Sequence, residues 1–502
     1  MAALISSSFM CSLHSYFSYV FFGFTFFFSV FSLMVFLLRL RPWCSCEVCR
    51  SYLTSAWSAE FDNLCDWYTH LLRKSPTRTI HVHILGCTIT ANPDNVEYIL
   101  KTRFDNYPKG KPFSTILGDL LGHGIFNVDG EPWRFQRKMA SLELGSLSVR
   151  SYAFGIVSSE VENRLLPLLA SVAVYGGVVD LQDFFRRFSF DTICRISFGL
   201  DPGCLDLSLP MSEFALAFDL ASQLSAKRAT LASPLIWKTK RLLNIGSECR
   251  LREALRLVNE LAAEVIRQRK KMGTAGQHDL LSRFLGTVTD EEYLRDIVIS
   301  FLLAGRDTVA AGLTSFFWLL AKHPHVETAI REEIEMVLGG EAAMASFDQL
   351  REMHYSHAAM YESMRLFPPV QFDSKFALED DVLSDGTVIR KGTRVTYHPF
   401  AMGRMEDIWG KDCLQFRPER WLQDGKFSPE SPYKYPVFQG GLRVCIGKEM
   451  ALLEIKSVAV AMVRRFKIEV VNPGLAAKFA PGLTATLNGG LSVRVHERLP
   501  GH

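Results

Sequence analysis

A cysteine stands in a glycine-rich segment near the C-terminal end of the chain, residues 438–447, which read FQGGLRVCIG. Phe438, Cys445 and Gly447 occupy set places in the pattern FxxGxRxCxG, and Gly441 and Gly447 are expected in turn conformations closed to other residues. Backbone N–H groups aimed at a sulfur stabilise its thiolate, and the helical spacing after Gly447 adds a helix N-terminus that favours negative charge on Cys445. The pattern predicts that Cys445 ligates a haem iron; the alternative is a buried structural cysteine.

A second chemical signal lies in the stretch AGRDT, residues 304–308, which interrupts a run of apolar residues. Gly305 and the polar pair Asp307 and Thr308 are unfavourable inside a buried helix unless a site requires them. Activation of dioxygen consumes protons, and a carboxylate beside a hydroxyl can deliver them. We expect Asp307 and Thr308 to form such a relay; the alternative is a solvated pair on a surface helix.

Three charged residues are predicted to lock the core on the cysteine side. Glu362 and Arg365 are three residues apart on a helix that ends before two prolines, so they share one face. Arg420 follows in the stretch FRPERW, residues 416–421. Breaking a buried network costs about 3 to 5 kcal/mol, whereas an exposed ion pair contributes about 0 to 1 kcal/mol. The cluster is expected to help retain the haem and to take no part in chemistry.

The two propionates of a haem require cationic or N–H donors. Trp133 and Arg137 are four residues apart on one helical face, so an indole N–H and a guanidinium point the same way. Arg443, beside the ligand cysteine, is the second guanidinium candidate.

Taken in chain order, these stretches resemble those of the cytochromes P-450, the haem-thiolate monooxygenases. The resemblance runs from about Phe61 to the C-terminus, and it is closest to the plant clade that oxidises the terminal carbons of fatty-acyl chains. It implies a cytochrome P-450 fold, haem b, and use of O2 with electrons from NADPH. The narrower match rests on Arg306, on GIFNVDG ahead of Trp133, and on residues 385–387 and 398–404.

The resemblance also assigns roles around the iron. Thr308 would steady the oxygen and Asp307 would renew the protons, while Ala304 and Gly305 would open a groove over the metal. Lys375 matches a position where the family often has a basic propionate partner, although an ordinary solvated lysine is the alternative.

The clade includes fatty-acid ω-hydroxylases and oxidases of jasmonoyl-amino acid conjugates, and the chain does not separate the two. An amphipathic acyl substrate oxidised at or near its far end is implied. Most residues at the family's substrate-contact positions are apolar, which fits an acyl channel but is also typical of core side chains. They are Phe113, Ile116, Leu117, Ile125, Phe126, Val370, Gln371, Phe372, Ala485, Thr486 and Leu487.

The cysteine loop departs from the clade at two positions. Close relatives usually have alanine at the position of Gly440 and proline at that of Leu442. Loss of the proline adds about 1 kcal/mol of unfolded-chain entropy while tolerating the same geometry. A lower haem affinity, and not a loss of haem binding, is expected.

Two other classes of function remain open at this stage. A haem-thiolate isomerase or dehydratase of fatty-acid hydroperoxides needs no electrons, but such enzymes tend to lack the acid and alcohol that Asp307 and Thr308 supply. A non-catalytic haem-binding protein would need the cysteine loop alone.

Electrons must come from outside, because no glycine-rich nucleotide fingerprint follows a predicted strand. A separate NADPH-cytochrome reductase is therefore the expected partner. Such flavoproteins present acidic surfaces, so a basic site is expected on the thiolate face, formed by Arg134, Lys138 and Lys448.

These groups need elements to hold them. Residues 290–322 predict one helix about 45 to 50 Å long, with a capping box at residues 289–292. Alternation over residues 79–85 predicts a strand that pairs with residues 88–90, and Asn92 followed by proline predicts a helix start. The fold class is mainly α with a small β region.

The chain has 502 residues, and 56 Lys and Arg against 53 Asp and Glu give a net charge of +3. No basic stripe stands out, so no nucleic-acid partner is expected. There is no long linker or internal repeat. We predict a single catalytic domain over residues 61–502, preceded by an anchor at 1–41 and a juxtamembrane linker at 42–60.

The N-terminal segment predicts a membrane anchor. No charged side chain precedes Arg39, and residues 16–38 are almost wholly apolar, which is long enough to cross a bilayer. A cleaved signal peptide is the alternative, but the apolar run is too long for one. Basic residues after the run place the catalytic domain on the cytosolic side. The expected location is the endoplasmic reticulum membrane, with one crossing and contact with lipid.

Cytosolic exposure would leave most of the 11 cysteines as free thiols. Cys44, Cys46 and Cys49 supply three ligands at irregular spacing with no fourth nearby, so reduced or acylated thiols are expected there and zinc binding is not.

Overall fold

The fold is mainly helical with small sheets, as predicted from the sequence. The computed structural model describes residues 20–34, 44, 46–145, 147–206, 213–231, 233–273, 279–339, 344–474, 476–480 and 482–498. Its α-helices are α1 (Val20–Met34), α2 (Glu47–Thr54), α3 (Leu64–Lys74), α4 (Pro93–Glu97), α5 (Gly110–Leu121), α6 (Gly130–Leu144), α7 (Leu147–Glu160), α8 (Leu166–Tyr175), α9 (Leu181–Phe198), α10 (Glu213–Thr230), α11 (Pro234–Leu243), α12 (Gly246–Met272), α13 (Leu280–Leu285), α14 (Glu291–Leu302), α15 (Thr308–Lys322), α16 (Pro324–Leu338), α17 (Phe347–Glu352), α18 (His354–Leu366), α19 (Pro399–Met402), α20 (Glu406–Trp409) and α21 (Lys448–Arg465).

The strands form one four-stranded sheet and several smaller ones within the described residues. They are β1 (Thr79–Val82), β2 (Cys87–Thr90), β3 (Val178–Asp180), β4 (Asp373–Phe376), β5 (Asp381–Val382), β6 (Val388–Ile389), β7 (Arg394–Tyr397), β8 (Leu422–Gln423), β9 (Lys426–Phe427), β10 (Phe466–Val470), β11 (Phe479–Ala480), β12 (Thr486–Leu487) and β13 (Ser492–Glu497). The largest sheet has the order β1-β2-β7-β4, and β10-β13-β3 form the next.

The predicted hairpin is present, but its first strand is shorter than the predicted residues 79–85, because His83–Leu85 form a 3₁₀ turn. β1 and β2 are antiparallel, with Thr79 opposite Thr90, and β2 runs parallel to β7. The Asn92 side chain accepts a hydrogen bond from the backbone N–H of Asp94 and caps α4, as its position before a proline predicts.

The long central helix is also confirmed, but it is not uniform. α14 and α15 form one continuous helix of 32 residues, Glu291–Lys322, joined by a π-helical turn at Leu303–Asp307. The predicted cap is wrong by one residue, because the side chain of Asp290, not Thr289, accepts the first free backbone N–H groups. This helix is long and apolar enough to cross a membrane, yet most of it is buried inside the protein, so it is a core helix.

Three apolar cores hold the helices and the four-stranded sheet together. The first packs α15 among α7, α8, α9, α16, α18 and α21, and the second packs α14 among α5, α9, α10, α12 and α13. The third joins α3 to the four-stranded sheet and α19. The two halves of the central helix therefore belong to different cores, and the π-helical turn lies where they meet.

The N-terminal helix α1 covers 15 residues of the predicted anchor and exposes its phenylalanines. The other residues of the predicted anchor, 1–19 and 35–41, lie outside the described residues. Much of the predicted linker 42–60 is folded onto the domain. Cys49 of α2 belongs to the third core, and the Trp57 ring stacks on Trp67 at 6.1 Å between ring centroids.

Candidate active site

The cysteine loop is held by backbone contacts. The Cys445 N–H donates to the Phe438 carbonyl oxygen at 2.8 Å. Gly441 has φ +59°, and a side chain there would overlap the Leu100 carbonyl oxygen, so glycine is required twice over. Gly447 differs from the prediction, because its φ of −84° is open to any residue.

The two departures from the clade have different surroundings. A Cβ atom at Gly440 would lie 2.9 Å from Cε1 of Tyr433, so the absent methyl group makes room for that ring. Leu442 is exposed on the outside of the loop. Gly440 thus has a packing reason in this chain, whereas nothing in the structure explains Leu442.

The Cys445 side chain is accessible although protein atoms crowd around it. This desolvation raises the pKa of the thiol, while a hydrogen bond from the Gly447 backbone and the charges of Arg137 and Lys448 oppose the rise. Donors and cations around the sulfur are the features that favour a thiolate ligand.

The propionate candidates from α6 and the loop lie together. The Trp133 ring is buried and lies 4.5 Å from the Arg443 guanidinium carbon. Arg137 donates to the Val444 carbonyl oxygen at 2.6 Å, next to Cys445. Arg443 donates to Asp129 Oδ1 at 2.6 Å, but its Nε is buried without a hydrogen-bond partner.

Lys375 is 1% exposed, so the solvated-lysine alternative is wrong. Its Nζ lies 2.9 Å from Asp373 Oδ2, which also accepts from the Tyr397 hydroxyl, and Lys109 pairs with the other oxygen of Asp373. Desolvation lowers the pKa of Lys375 to about 7, even though Asp373 opposes the change. Burial alone would raise the pKa of Asp373, but the two lysines hold it well below its usual range.

The donor set fits a haem. Cys445 is exposed, a buried guanidinium nitrogen of Arg443 lacks a partner, and Lys375 is buried nearby in charge contact with Arg443. Lys109, Lys375 and Arg443 share two carboxylates, those of Asp373 and Asp129. The local excess of cations suits the two propionates.

The polar pair of the central helix lies at the end of the π-helical turn, where Asp307 is its last residue and Thr308 is the first residue of α15. π-helical turns within α-helices are frequent at functional sites. The Thr308 hydroxyl donates to the Ala304 carbonyl oxygen at 2.5 Å. Asp307 Oδ1 is buried without a hydrogen bond and lies 3.3 Å from Arg306 Nη1. Desolvation raises the pKa of Asp307 to about 6, although the charge of Arg306 opposes the rise. The solvated surface pair is therefore excluded.

Arg306 faces away from the turn into the protein. Its Nη1 donates to Asp219 Oδ1 of α10 at 2.7 Å, and the other oxygen of Asp219 lies 3.2 Å from Arg186 Nη1 of α9. Arg186 donates in turn to the Thr486 hydroxyl at 3.0 Å. Asp307 thus shares Arg306 with a second carboxylate, and this competition weakens its ion pair.

Gly305, for which the resemblance implies a groove over the iron, also has a packing reason. A Cβ atom at this position would overlap the Cδ1 and Cγ1 atoms of Ile193 on α9. The missing side chain therefore lets α9 pack closely against the turn.

The predicted Glu-Arg-Arg cluster is present. Arg365 forms a bidentate pair with Glu362, at 2.7 and 2.8 Å, and both side chains are fully buried. Arg420 Nε lies 3.4 Å from Glu362 Oε1. The Arg417 backbone and the Trp421 indole also donate to Glu362, at 3.0 and 2.9 Å.

The substrate-contact candidates before α6 differ in exposure. Phe113 and Ile116 of α5 are partly buried and pack at the edge of the second core, whereas Leu117 lies inside it. Leu117 is therefore a core side chain. In the loop that follows α5, Ile125 is half-buried and Phe126 is exposed.

The remaining candidates meet at one end of the domain. The Ala485 N–H donates to the Pro369 carbonyl oxygen at 2.8 Å, which places residues 485–487 beside Val370. Gln371 Oε1 accepts from the Cys65 thiol at 3.4 Å, while its Nε2 is buried without a partner.

Phe372 is exposed. The β12 residues, in contrast, are held by hydrogen bonds to α9. Thr486 accepts from Arg186, and both backbone groups of Leu487 bond to the Gln182 side chain, at 2.8 and 3.0 Å. This part of the candidate set therefore lies next to the Asp219 and Arg306 network.

Sequence reasoning missed several members of the site. Asp129 lies within GIFNVDG and Trp421 within FRPERW, so both stood in stretches already singled out. Lys109, Asp373 and Asp219 stood in none of the stretches that were singled out, although Asp373 lies only two residues before Lys375.

The chain matches the family model Cytochrome P450 over residues 59–480. It is 64% identical over 490 residues to cytochrome P450 94C1 of Arabidopsis thaliana, covering 96% of this chain and 99% of the relative. Cytochrome P450 94B1 of the same plant is 49% identical over 450 residues, covering 87% and 88%. The solved heme domain of cytochrome P450DA superposes with a TM-score of 0.74 at 24% identity, covering 88% of this chain and 94% of that one, which supports the fold.

The fold, the cysteine loop and the family match define the class: this chain belongs to the cytochrome P450 family, and it is a haem monooxygenase, an oxidoreductase. Within the family it is similar to the P450 94 proteins along nearly its whole length.

Proposed function

We propose that this chain is a membrane-anchored monooxygenase that oxidises an amphipathic acyl substrate at or near its terminal carbon. The substrate is a fatty acid or a jasmonoyl-amino acid conjugate, and electrons come from NADPH through a separate reductase. The observation that carries the proposal is the accessible Cys445 thiol in a loop bordered by buried cations, in a chain 64% identical to cytochrome P450 94C1.

Cys445 is the iron ligand in this proposal, and the residues that hold the haem are Trp133, Arg137, Lys375, Phe438, Arg443 and Gly447. When bound, the haem supplies the activation of O2 and the insertion of one oxygen atom into a C–H bond. The buried cations of Lys375 and Arg443 neutralise the propionates, and the Glu362 network keeps the loop in place. Arg137 fixes the loop through the Val444 carbonyl.

Asp307 and Thr308 handle protons. Asp307 Oδ1 is a buried acceptor with no hydrogen bond, and the pKa of about 6 lets its carboxylate gain and lose a proton near neutrality. The Thr308 hydroxyl proton is committed to the Ala304 carbonyl, which leaves the oxygen lone pairs to accept from a proton donor.

The ligand assignment is tested by spectroscopy. The reduced, carbon monoxide-bound protein is expected to show the red-shifted Soret band of thiolate ligation, and Cys445→Ser is expected to lose it. Cys249→Ser, at an exposed cysteine of α12, is the matched control and keeps the band. Retention of the band in Cys445→Ser would remove the central assignment.

The substrate class is tested with a panel of fatty acids and jasmonoyl-amino acid conjugates, supplied with NADPH and reductase. Products hydroxylated at or next to the terminal carbon are expected. The half-buried and exposed apolar side chains Phe113, Ile125, Phe126 and Phe372 support this acyl preference. Turnover of a fatty-acid hydroperoxide without NADPH, and none of the panel with it, would contradict the proposal.

The reductase is proposed to dock near Lys138 and Lys448. Lys138 is exposed, and Lys448 is half-buried beside the Phe438 ring. Arg134 is a weaker candidate, because it pairs with Glu131 at 2.7 Å. Reversal of Lys138 and Lys448 to Glu should slow reductase-driven reduction most at low ionic strength and leave dithionite reduction unchanged. Lys271→Glu, at an exposed site on α12, is the control; equal reduction rates for all three proteins would exclude this surface.

The membrane anchor is proposed from the apolar N-terminal segment, with the endoplasmic reticulum as the location and the catalytic domain in the cytosol. The exposed phenylalanines of α1 support contact with lipid. Removal of residues 1–38 should release the protein from membranes and preserve the haem spectrum. A catalytic domain protected from protease in intact microsomes would contradict the orientation.

A further inference from the structure

Three cysteine sulfurs converge just before and within α2, a part of the chain that the proposed haem site does not use. Cys44 Sγ lies 3.3 Å from Cys46 Sγ and 3.6 Å from Cys49 Sγ, and all three sulfurs lie within 4.8 Å of one another. We propose that Cys44, Cys46 and Cys49 form a three-thiolate site for a thiophilic cation such as Zn²⁺. The irregular spacing of these cysteines in the sequence did not predict a metal site. The fold nevertheless brings the three sulfurs together.

The distances suit such a cation. At a Zn–S bond length of about 2.3 Å, tetrahedral geometry separates neighbouring sulfurs by about 3.8 Å. The Cys44–Cys46 and Cys44–Cys49 sulfur separations, 3.3 and 3.6 Å, fall short of that value by about 0.5 and 0.2 Å, so the sulfurs need to move apart only slightly. A donor set made only of thiolates favours zinc or copper(I) over magnesium or calcium, which prefer oxygen ligands.

The backbone supports negative charge on these sulfurs. The Cys49 N–H points to Cys46 Sγ at 3.4 Å, where Cys46 caps the N-terminus of α2. The Ile84 N–H, from the segment after β1, points to Cys49 Sγ at 3.3 Å. N–H donors and a helix N-terminus stabilise thiolates and orient them as ligands. The Ile84 contact comes from a different part of the fold and so is independent of the cysteine spacing.

The fourth position is open. No other His, Cys, Asp or Glu among the described residues joins the three sulfurs. Cys44 and Cys46 are half-buried, whereas Cys49 is 2% exposed and packs in the third core with Val82 and Ile84. Solvent or a small thiol can therefore complete the coordination from the side of Cys44 and Cys46.

A cation here would act as a clamp. It would cross-link residues 44–49 and, through Cys49, fix α2 onto the end of β1. This is the segment that connects the N-terminal apolar helix to the catalytic domain. The burial of Cys49 also argues against acylation of all three thiols, since its sulfur cannot be reached without unpacking the third core.

The test uses the full-length haem-loaded protein, purified under reducing conditions and without chelator. Elemental analysis is expected to give about one zinc per haem. Replacement of zinc by Co²⁺ should produce sulfur-to-cobalt charge-transfer absorption, a signature that thiolate ligation alone supplies. Cys44→Ser and Cys46→Ser should each lose most of the bound metal while keeping the haem spectrum, and Cys249→Ser should keep both.

Cys44→Ser and Cys46→Ser are the informative variants, because a change at the buried Cys49 could unfold the region. Three outcomes would overturn the site: zinc retained by Cys44→Ser and Cys46→Ser, three freely alkylated thiols with no zinc, or a disulfide or thioester found among these cysteines by mass spectrometry.

Discussion

Two buried carboxylates near the haem site have opposite surroundings. Glu362 accepts hydrogen bonds from Arg365, Arg420, the Trp421 indole and the Arg417 backbone. Asp307 lies against one guanidinium, that of Arg306, and its Oδ1 accepts no hydrogen bond.

The two environments suit different roles. A carboxylate surrounded by fixed donors is costly to disturb and holds its neighbours rigidly. A buried carboxylate with few donors has a raised pKa and can exchange its proton. The surroundings of the two groups, and not the residue type, decide which one stabilises the fold and which one can take part in chemistry.

The largest effect is expected when the hydrogen-bond network around Glu362 is broken. Arg365→Met removes the bidentate partner of Glu362 and should lower the free energy of unfolding by about 3 to 5 kcal/mol. The matched control is Arg417→Met, whose exposed side chain pairs with Asp412 at the surface, where the loss of stability should be much smaller. Denaturant unfolding and the yield of haem-bound protein measure both. Equal losses in the two variants would remove the distinction.

The second test measures how the stability of the protein depends on pH because of Asp307. Its pKa is raised from the ordinary 3.8 to about 6, so the folded protein binds this proton more tightly than the unfolded chain does. The resulting stabilisation is present at low pH and is lost as the pH rises through 6, by up to about 3 kcal/mol. Parent stability should therefore fall relative to Asp307→Asn between about pH 4 and about pH 7. If the free energies of unfolding of the parent and of Asp307→Asn differed by the same amount at every pH in this range, the raised pKa would be contradicted.

Proton delivery is tested on two threonines of the same helix. Thr308 and Thr314 each donate to the carbonyl four residues earlier, at 2.5 and 2.7 Å. Thr308→Ala should cut product formed per NADPH by up to about 100-fold and divert electrons to hydrogen peroxide, with the haem spectrum unchanged. Thr314→Ala should remain coupled. Similar coupling in both variants would show that the hydroxyl beside Asp307 has no special role.

The smallest effect concerns the packing of the turn. Gly305→Ala should cost about 1 to 3 kcal/mol, because the new methyl group overlaps Ile193, and Ile193→Ala should partly restore stability in the double variant. Gly312→Ala is the control, since its methyl group would meet only the flexible end of Ile455, at 3.1 Å. Thermal unfolding measures all of these variants. A larger loss at Gly312 than at Gly305 would contradict the close approach of α9.

Local patterns predicted the elements and several of the pairs. The Asn92 cap, the hairpin of β1 and β2, the central helix and the Glu362 and Arg365 pair all involve residues a few positions apart. At such separations the helix and strand periods determine which side chains meet. The π-helical turn was not predicted, because a polar pair in an apolar helix indicates a site without showing its backbone geometry.

The residue types and their order were enough to predict a ligand loop around Cys445 and a buried helix interrupted by Asp307 and Thr308. The partners of many buried polar and charged groups could be seen only in the folded structure. Asp373 meets Lys109 across 264 residues, Arg306 meets Asp219 across 87, and Cys49 meets the Ile84 backbone across 35. Such contacts depend on how whole helices and sheets pack. The periodicity of one segment carries no information about the surface that another segment presents to it.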